Sequence, residues 1–316
     1  SMESVKWDTK LGQKGAGLPR GWVFFCFRRQ GQVLCSGYTP NLALRLAKLV
    51  RKAESDPNCA ELAQAADILE WESHPEALPA LLHYKTFSQQ HPESLHQACQ
   101  PCSDYVYLAL DAWRFPFVCT QDFTADDWIY AGPWRSRFFL ADVMDSVSRL
   151  LKLPYCESGA FPCEKLELGL CKGYCLALSE GDRDPDTPSL DKLDQLLREA
   201  YLHPDNGLLD MVAAERQRYF DALEFEKAEL LQAEEDKLRE YRDWLNFLYV
   251  TKSLHLETPE LRVERGLLSW CRFQGHEHNF ANPPRQFRDN ERLALNLQDV
   301  DEARILYEYQ LKIQTG

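Results

Sequence analysis

Four cysteines within twenty residues constrain this chain more than any other feature. Cys156, Cys163, Cys171 and Cys175 are separated by six, seven and three residues, and the last three stand in the run P-C-E-K-L-E-L-G-L-C-K-G-Y-C. The stretch is too polar to build a core of its own. Four thiolates this close can converge on one soft centre, either a tetrahedral zinc or an iron–sulfur cluster, and pin the segment. The plainer reading is a set of small buried residues clustered by chance.

The chain has 316 residues, enough for two or three domains, and is 45% hydrophobic, enough for packed cores. No apolar run reaches the ~18 residues that a membrane helix needs. Ser1-Met2 reads as a tag scar with no signal peptide behind it. The expectation is a cytoplasmic protein that engages no membrane, where eleven cysteines favour metal over disulfides. Seven of them (Cys26, Cys35, Cys59, Cys99, Cys102, Cys119 and Cys271) are scattered, and Cys99-Gln-Pro-Cys102 is a C-x-x-C pair without a second pair. The net charge of −13 argues against nucleic-acid binding by the whole surface. Its distribution is uneven. Residues 1–53 carry ten Lys/Arg against Glu3 and Asp8, a net +8 that leaves −21 on the remainder. A basic end on an acidic body suits a nucleic-acid site, or else a solvated basic face.

The organisation is α+β. Gly21–Phe27 and Val33–Cys35 are apolar runs joined at Gly31, a buried β-hairpin. An amphipathic helix follows from Pro40-Asn41 to Arg51, with Leu42, Leu46, Leu49 and Val50 inward. A helix, a short strand and another helix occupy 60–71 and 76–90. Tyr105–Leu110 and Phe115–Cys119 read as strands, and 137–152 as a helix leading into the cysteines. Gly181–Pro188 is an acidic, proline-bearing linker. Leu190 to Tyr249 reads as helical with one break at 203–207. Short strands, Pro283-Pro284 and a helix from Asp299 close the chain. The boundaries expected are 15–98, 99–180 with the cysteines, 189–250 helical, and 251–316, a small α/β module.

Several of these pieces stand in a known order. Gly21-Trp22-Val23-Phe24 followed by Gly31–Gly37 resembles the paired motifs of a GIY-YIG nuclease hairpin, and Asn41, Leu42 and Arg45 continue the pattern. Phe115–Thr120 and Tyr130–Trp134 resemble the middle of UvrC, the bacterial excision-repair nuclease subunit. The four cysteines match the place and spacing of UvrC's cysteine cluster, and Ala222–Ala228 resembles its UVR motif. The resemblance spans roughly residues 18–240. It implies a basic GIY-YIG domain on DNA and a [4Fe–4S] cluster on Cys156, Cys163, Cys171 and Cys175, with zinc as the alternative. It further implies a UVR-like hairpin docked on a UvrB-like partner, and incision of damaged DNA if the chemistry survives.

The chain departs from the family at the chemistry. The first motif's tyrosine is Val23, or Phe24 in a shifted register, and the second's is Cys35. The expected lysine is Tyr38, the metal-binding glutamate is His83, and the asparagine past Pro92 is Leu95; Arg45 alone remains. Phosphodiester cleavage needs an activated nucleophile, a cationic stabiliser and a carboxylate-held divalent metal. Tyr38 and Glu76 are the residues that a rearranged centre would use. His83 suits a transition metal but brings no charge to hold magnesium. The cluster His276-Glu277-His278 with Asp289 is a further candidate ligand set.

Leu223, Phe225, Leu230, Leu231 and Leu238 form an apolar stripe bordered by glutamates. Leu223, Phe225 and Leu231 are the candidate partner contacts, although Gln232 replaces an expected arginine. Arg45, Lys48, Arg51 and Lys52 are the candidate DNA contacts. The resulting expectation is a UvrC-like protein of DNA repair that binds DNA and a protein, with its nuclease centre inactivated. The rivals are an active endonuclease with a rearranged centre, and an interaction scaffold that does not engage DNA.

Overall fold

The computed structural model describes residues 1–92, 104–156, 163–178, 189–282 and 293–316. Cys99, Cys102, Leu95, the Gly181–Pro188 segment, Pro283-Pro284 and Asp289 lie outside them. The fold is mixed α+β, with antiparallel sheets and ten helices among the described residues. In chain order the first elements are β1 (Glu3–Lys6), α1 (Thr9–Lys14), β2 (Val23–Arg29), β3 (Gln32–Thr39), α2 (Leu42–Lys52), α3 (Pro57–Ala65), β4 (Ile68–Ser73) and α4 (Ala77–Gln90). Next come β5 (Val106–Leu110), β6 (Val118–Gln121), β7 (Ile129–Trp134), α5 (Arg137–Leu151), α6 (Glu164–Glu167) and a 3-10 turn at Tyr174–Leu178. Then follow α7 (Leu190–Leu202), α8 (Leu208–Asp221), α9 (Phe225–Thr251), β8 (Leu256–Glu257), β9 (Leu261–Glu264), β10 (Leu267–Phe273), β11 (His276–Asn279) and α10 (Val300–Thr315).

The chain divides into two compact units. One comprises 1–103, 253–283 and 301–316; the other comprises 104–252 and 284–300. In the first, an antiparallel sheet runs β1-β4-β2-β3. The first five residues of central β2, Val23–Phe27, are apolar and buried because both faces of the strand are covered there. Val23, Phe25 and Phe27 pack with Leu42, Leu46 and Leu49 of α2 and Cys59 and Leu62 of α3. Phe24 faces α4, with ring centroids 4.8 Å from Phe87. Gly37 is required by close approach, since a Cβ there would meet Phe25 Cζ at 2.7 Å. Helix α2 starts where Asn41 Oδ1 accepts from Leu44 N at 3.1 Å, and α3 starts at an Asp56 cap followed by Pro57. A second antiparallel sheet, β11-β10-β9-β8, shares with α4 and α10 a core of Leu81, Leu82, Leu261, Leu268 and Leu306.

In the second unit, fully buried β5 lies between β6 and β7. Trp134 of β7 stacks on Tyr241 of α9 with centroids 4.5 Å apart, and the Tyr241 hydroxyl donates to the Tyr201 carbonyl at 2.6 Å. Helices α8 and α9 form an antiparallel hairpin turning at Ala222–Glu224. The sequence reading has one break between 190 and 249; the structure has this turn as a second. The Glu235 carboxylate clamps the hairpin. It accepts from Arg216 Nε at 2.9 Å and Arg239 Nη2 at 2.8 Å.

Candidate functional site

The cysteine segment buries little. The single-turn helix α6 has no buried side chain, and Leu168 and Leu170 are exposed. Side-chain burial therefore offsets little of the entropy lost on ordering such a segment. All four cysteines are half-buried free thiols. Burial first, and then the charges of Cys171, Cys175 and Cys163, push the Cys156 thiol up to about 11. Burial, Cys171 and Cys163 also raise that of Cys175. The four therefore occupy one electrostatic neighbourhood, in which each additional thiolate resists the next until a cation compensates them. Gly173, at φ +75, donates its N–H to Cys171 Sγ at 3.4 Å. Between Cys171 and Cys175, the fully buried Tyr174 hydroxyl finds no hydrogen-bond partner among the described residues. Soft donors and a backbone N–H on sulfur suit a group held by thiolates, although among the described residues no three of these sulfurs lie within 4.8 Å of one another.

The positions matched to GIY-YIG chemistry fall on two faces of one sheet. Val23 and Cys35 are buried in the core under α2 and α3. Burial pushes the Cys35 thiol up to about 12, so it carries no thiolate at neutral pH. Arg45 shares that side. Its guanidinium lies 5.5 Å from the Phe25 ring centroid and lines a small cavity with Phe27, Cys35 and Leu62. Tyr38 and His83 lie on the α4 side, where Tyr38 packs 5.1 Å from Tyr84 and His83 stacks 4.0 Å from Phe24. Alternation along β2 and β3 produces this split, because neighbouring strand residues point to opposite faces.

Glu76 precedes α4 and is exposed, 3.7 Å from Lys312 Nζ. Alternation along β11 puts His276 and His278 on one face and Glu277 on the other, where Glu277 pairs with Arg272 at 3.0 Å. Among the described residues, one group of three His/Cys/Asp/Glu side chains has its ligand atoms within 4.8 Å of one another: Glu72, His74 and His83. The sequence reading found His83 and missed the other two. The available signal was Glu72-Ser73-His74, whose alternation puts two donors on one face of a strand end.

Lys48 and Arg51 project from α2 into solvent, and Lys52 is half-buried beside them. Arg51 and Lys52 also lie in the last turn, where cations complement the helix dipole. On the α8–α9 hairpin, Leu223 and Phe225 are 73% and 53% exposed, whereas Leu231 is buried. Among the described residues, no helix is long and apolar enough to cross a membrane.

Two curated bacterial proteins are similar to this chain. UvrABC system protein C of Pseudomonas syringae pv. syringae (strain B728a) is 24% identical over 231 residues, covering 71% of this chain and 37% of that protein. UvrABC system protein C of Prosthecochloris aestuarii (strain DSM 271 / SK 413) is 29% identical over 152 residues, covering 44% of this chain and 23% of that protein. The chain thus spans well under half the length of either relative. No family model matches it, and no solved structure does.

Proposed function

We propose that this chain is a UvrC-like DNA-repair protein that binds DNA and a UvrB-type partner, carries a [4Fe–4S] cluster, and does not cut DNA with its GIY-YIG-type positions. The observation that carries this reading is the similarity to UvrABC system protein C across 71% of the chain.

Cys156, Cys163, Cys171 and Cys175 would hold the cluster, with zinc as the alternative. A bound cluster supplies a covalent tie between chain segments and a redox-active iron centre. The residues around it have separate tasks. Gly173 orients an N–H at Cys171 Sγ, and Lys165 Nζ, bonded to the Tyr155 carbonyl at 2.8 Å, brings positive charge near Cys156. Lys48, Arg51 and Lys52, with Arg45 behind them, would meet phosphates. The exposed Leu223 and Phe225 at the hairpin turn would meet the partner, while Leu231 secures the hairpin from inside.

The loss of cutting follows from the side chains. Attack on a phosphodiester needs a deprotonated nucleophile beside a metal and a cation on the developing charge. Val23 supplies no proton to remove, and Cys35 is a buried neutral thiol. Tyr38 faces α4, on the opposite side of the sheet from Arg45.

The test combines anaerobic iron and sulfide analysis, DNA binding at several salt concentrations, and plasmid nicking with magnesium or manganese. We expect about four irons per chain, salt-sensitive DNA binding, and intact plasmid. A colourless protein without iron or zinc would overturn the cofactor. Binding that ignores salt would overturn the DNA contact. Nicking abolished by Tyr38→Phe, Arg45→Ala and Glu76→Gln would establish a rearranged nuclease.

A further inference from the structure

We infer that Glu72, His74 and His83 form a binding site for one divalent transition ion of the zinc class, separate from the thiol cluster. His74 Nε2 lies 2.9 Å from His83 Nδ1, Glu72 Oε2 lies 3.0 Å from His83 Nδ1, and Glu72 Oε2 lies 3.7 Å from His74 Nε2. A circle through these three atoms has a radius of about 1.9 Å, so an ion ~2.0–2.2 Å from each sits just outside their plane. That is a three-ligand site with its remaining coordination on one side.

The hydrogen bonding of the triangle is incomplete without a cation. Each neutral imidazole has one N–H to place. With the proton on His83 Nδ1, one hydrogen serves two close contacts. With the proton on His74 Nε2, the lone pair of His83 Nδ1 opposes the carboxylate at 3.0 Å. An ion accepts all three electron pairs at once. Charge state supports ligation as well. Burial holds His83 down to about 4 despite Glu72, and burial likewise lowers His74, so both rings are neutral near pH 7.

The site is preorganised. Glu72 lies opposite Phe24 in the β2–β4 ladder, and the His74 N–H donates to the Trp22 carbonyl at 2.8 Å. The His83 ring stacks on Phe24 and packs 5.4 Å from Phe273. Its orientation is therefore set before any ion arrives. Two nitrogens and one oxygen select a borderline ion such as zinc over magnesium, which demands oxygen.

This site does not rest on the UvrC-like reading, and zinc alone tests it. X-ray absorption is recorded on the zinc-loaded full chain, alongside Glu72→Gln and His74→Asn. Metal-free circular dichroism checks that each variant is folded. The parent should show a nitrogen/oxygen shell at ~2.0–2.1 Å, distinct from the ~2.3 Å sulfur shell of cysteine-bound zinc. Both variants should lose that shell, with zinc affinity falling by more than the ~10–100-fold typical of removing an outer partner. Absence of the nitrogen/oxygen shell from the parent overturns the site whatever the variants do. Its persistence in folded variants does so equally.

Discussion

Gly173→Ala is a sharp perturbation of the thiol cluster because it leaves every cysteine in place. Gly173 lies between Cys171 and Cys175 at φ +75, and a Cβ there would meet Leu166 Cδ1 at 2.9 Å and Leu176 Cδ1 at 3.2 Å. The left-handed backbone costs an L-residue ~1–2 kcal/mol. The colliding atoms are the ends of leucine side chains, so crowding adds the low end of the ~1–3 kcal/mol range for overpacking. The sum, about 2–3 kcal/mol, weakens zinc binding roughly 30- to 140-fold at ~1.4 kcal/mol per decade. Gly169→Ala is the control. Gly169 is also left-handed, at φ +70, but its Cβ would meet nothing within 4 Å. It carries the backbone cost alone, about 5- to 30-fold. The assay is zinc transfer from a coloured chelator to the full chain under anoxic, reducing conditions. Parent tighter than Gly169→Ala, and that tighter than Gly173→Ala, is the expected order. If Gly173→Ala binds zinc as tightly as the parent, the bend at Gly173 does not set the spacing of the thiols.

Three further outcomes are expected. Glu235 is 3% exposed, but its partners Arg216 and Arg239 reach water, so Glu235→Gln should destabilise the α8–α9 hairpin by ~2–3 kcal/mol, below the ~3–5 of a sealed pair. Burial raises that carboxyl, yet the bonds from Arg239 and Arg216 hold it below its unfolded value of ~4.3. Its contribution is full above that pH and fades as pH falls through the lower folded value. Amide exchange across α8–α9 should separate parent from variant at pH 7 and converge in acid; equal exchange at pH 7 refutes the clamp. A Lys48→Ala, Arg51→Ala, Lys52→Ala variant should flatten the log–log salt dependence of DNA binding by ~0.9 for each phosphate no longer neutralised, and an unchanged slope discards the α2 surface. Cys35 should resist iodoacetamide at pH 8 in the native protein, and its modification ahead of Cys163 would show that its burial is not maintained.

What the sequence revealed was local. The β2–β3 hairpin was legible because a continuous apolar run allows only a strand covered on both faces. Helix α2 was legible from Asn41 and the spacing of Leu42, Leu46 and Leu49. The closeness of the four cysteines could be read by counting, although counting does not say what group they hold. Elements β1 and α1 were missed, since Glu3–Lys6 is too short and polar to announce a strand. The Glu72–His74 pair was half visible as an alternation at a strand end. His83 joins it only because α4 packs across β2 and β3, a long-range event without a local signature. Equally hidden was the return of β8–β11 and α10 to the core of Leu81 and Leu82, some 170 residues after α4 leaves it.

That return bears on how the protein can be made. The first unit draws its last core residues, Ile305 and Leu306, from near the end of the 316-residue chain. During synthesis the segment 104–252 is complete while the opening β1-β4-β2-β3 sheet still lacks the strands and helix that finish its unit. The α4 face of that sheet therefore waits longest for its partners, against the usual N-terminal-first order. Dissection meets the same constraint. A fragment cut after α9 keeps every cysteine of the cluster, yet leaves Leu81 and Leu82 of α4 without Leu261, Leu268 and Leu306, so the severed piece presents an apolar surface that the whole chain hides.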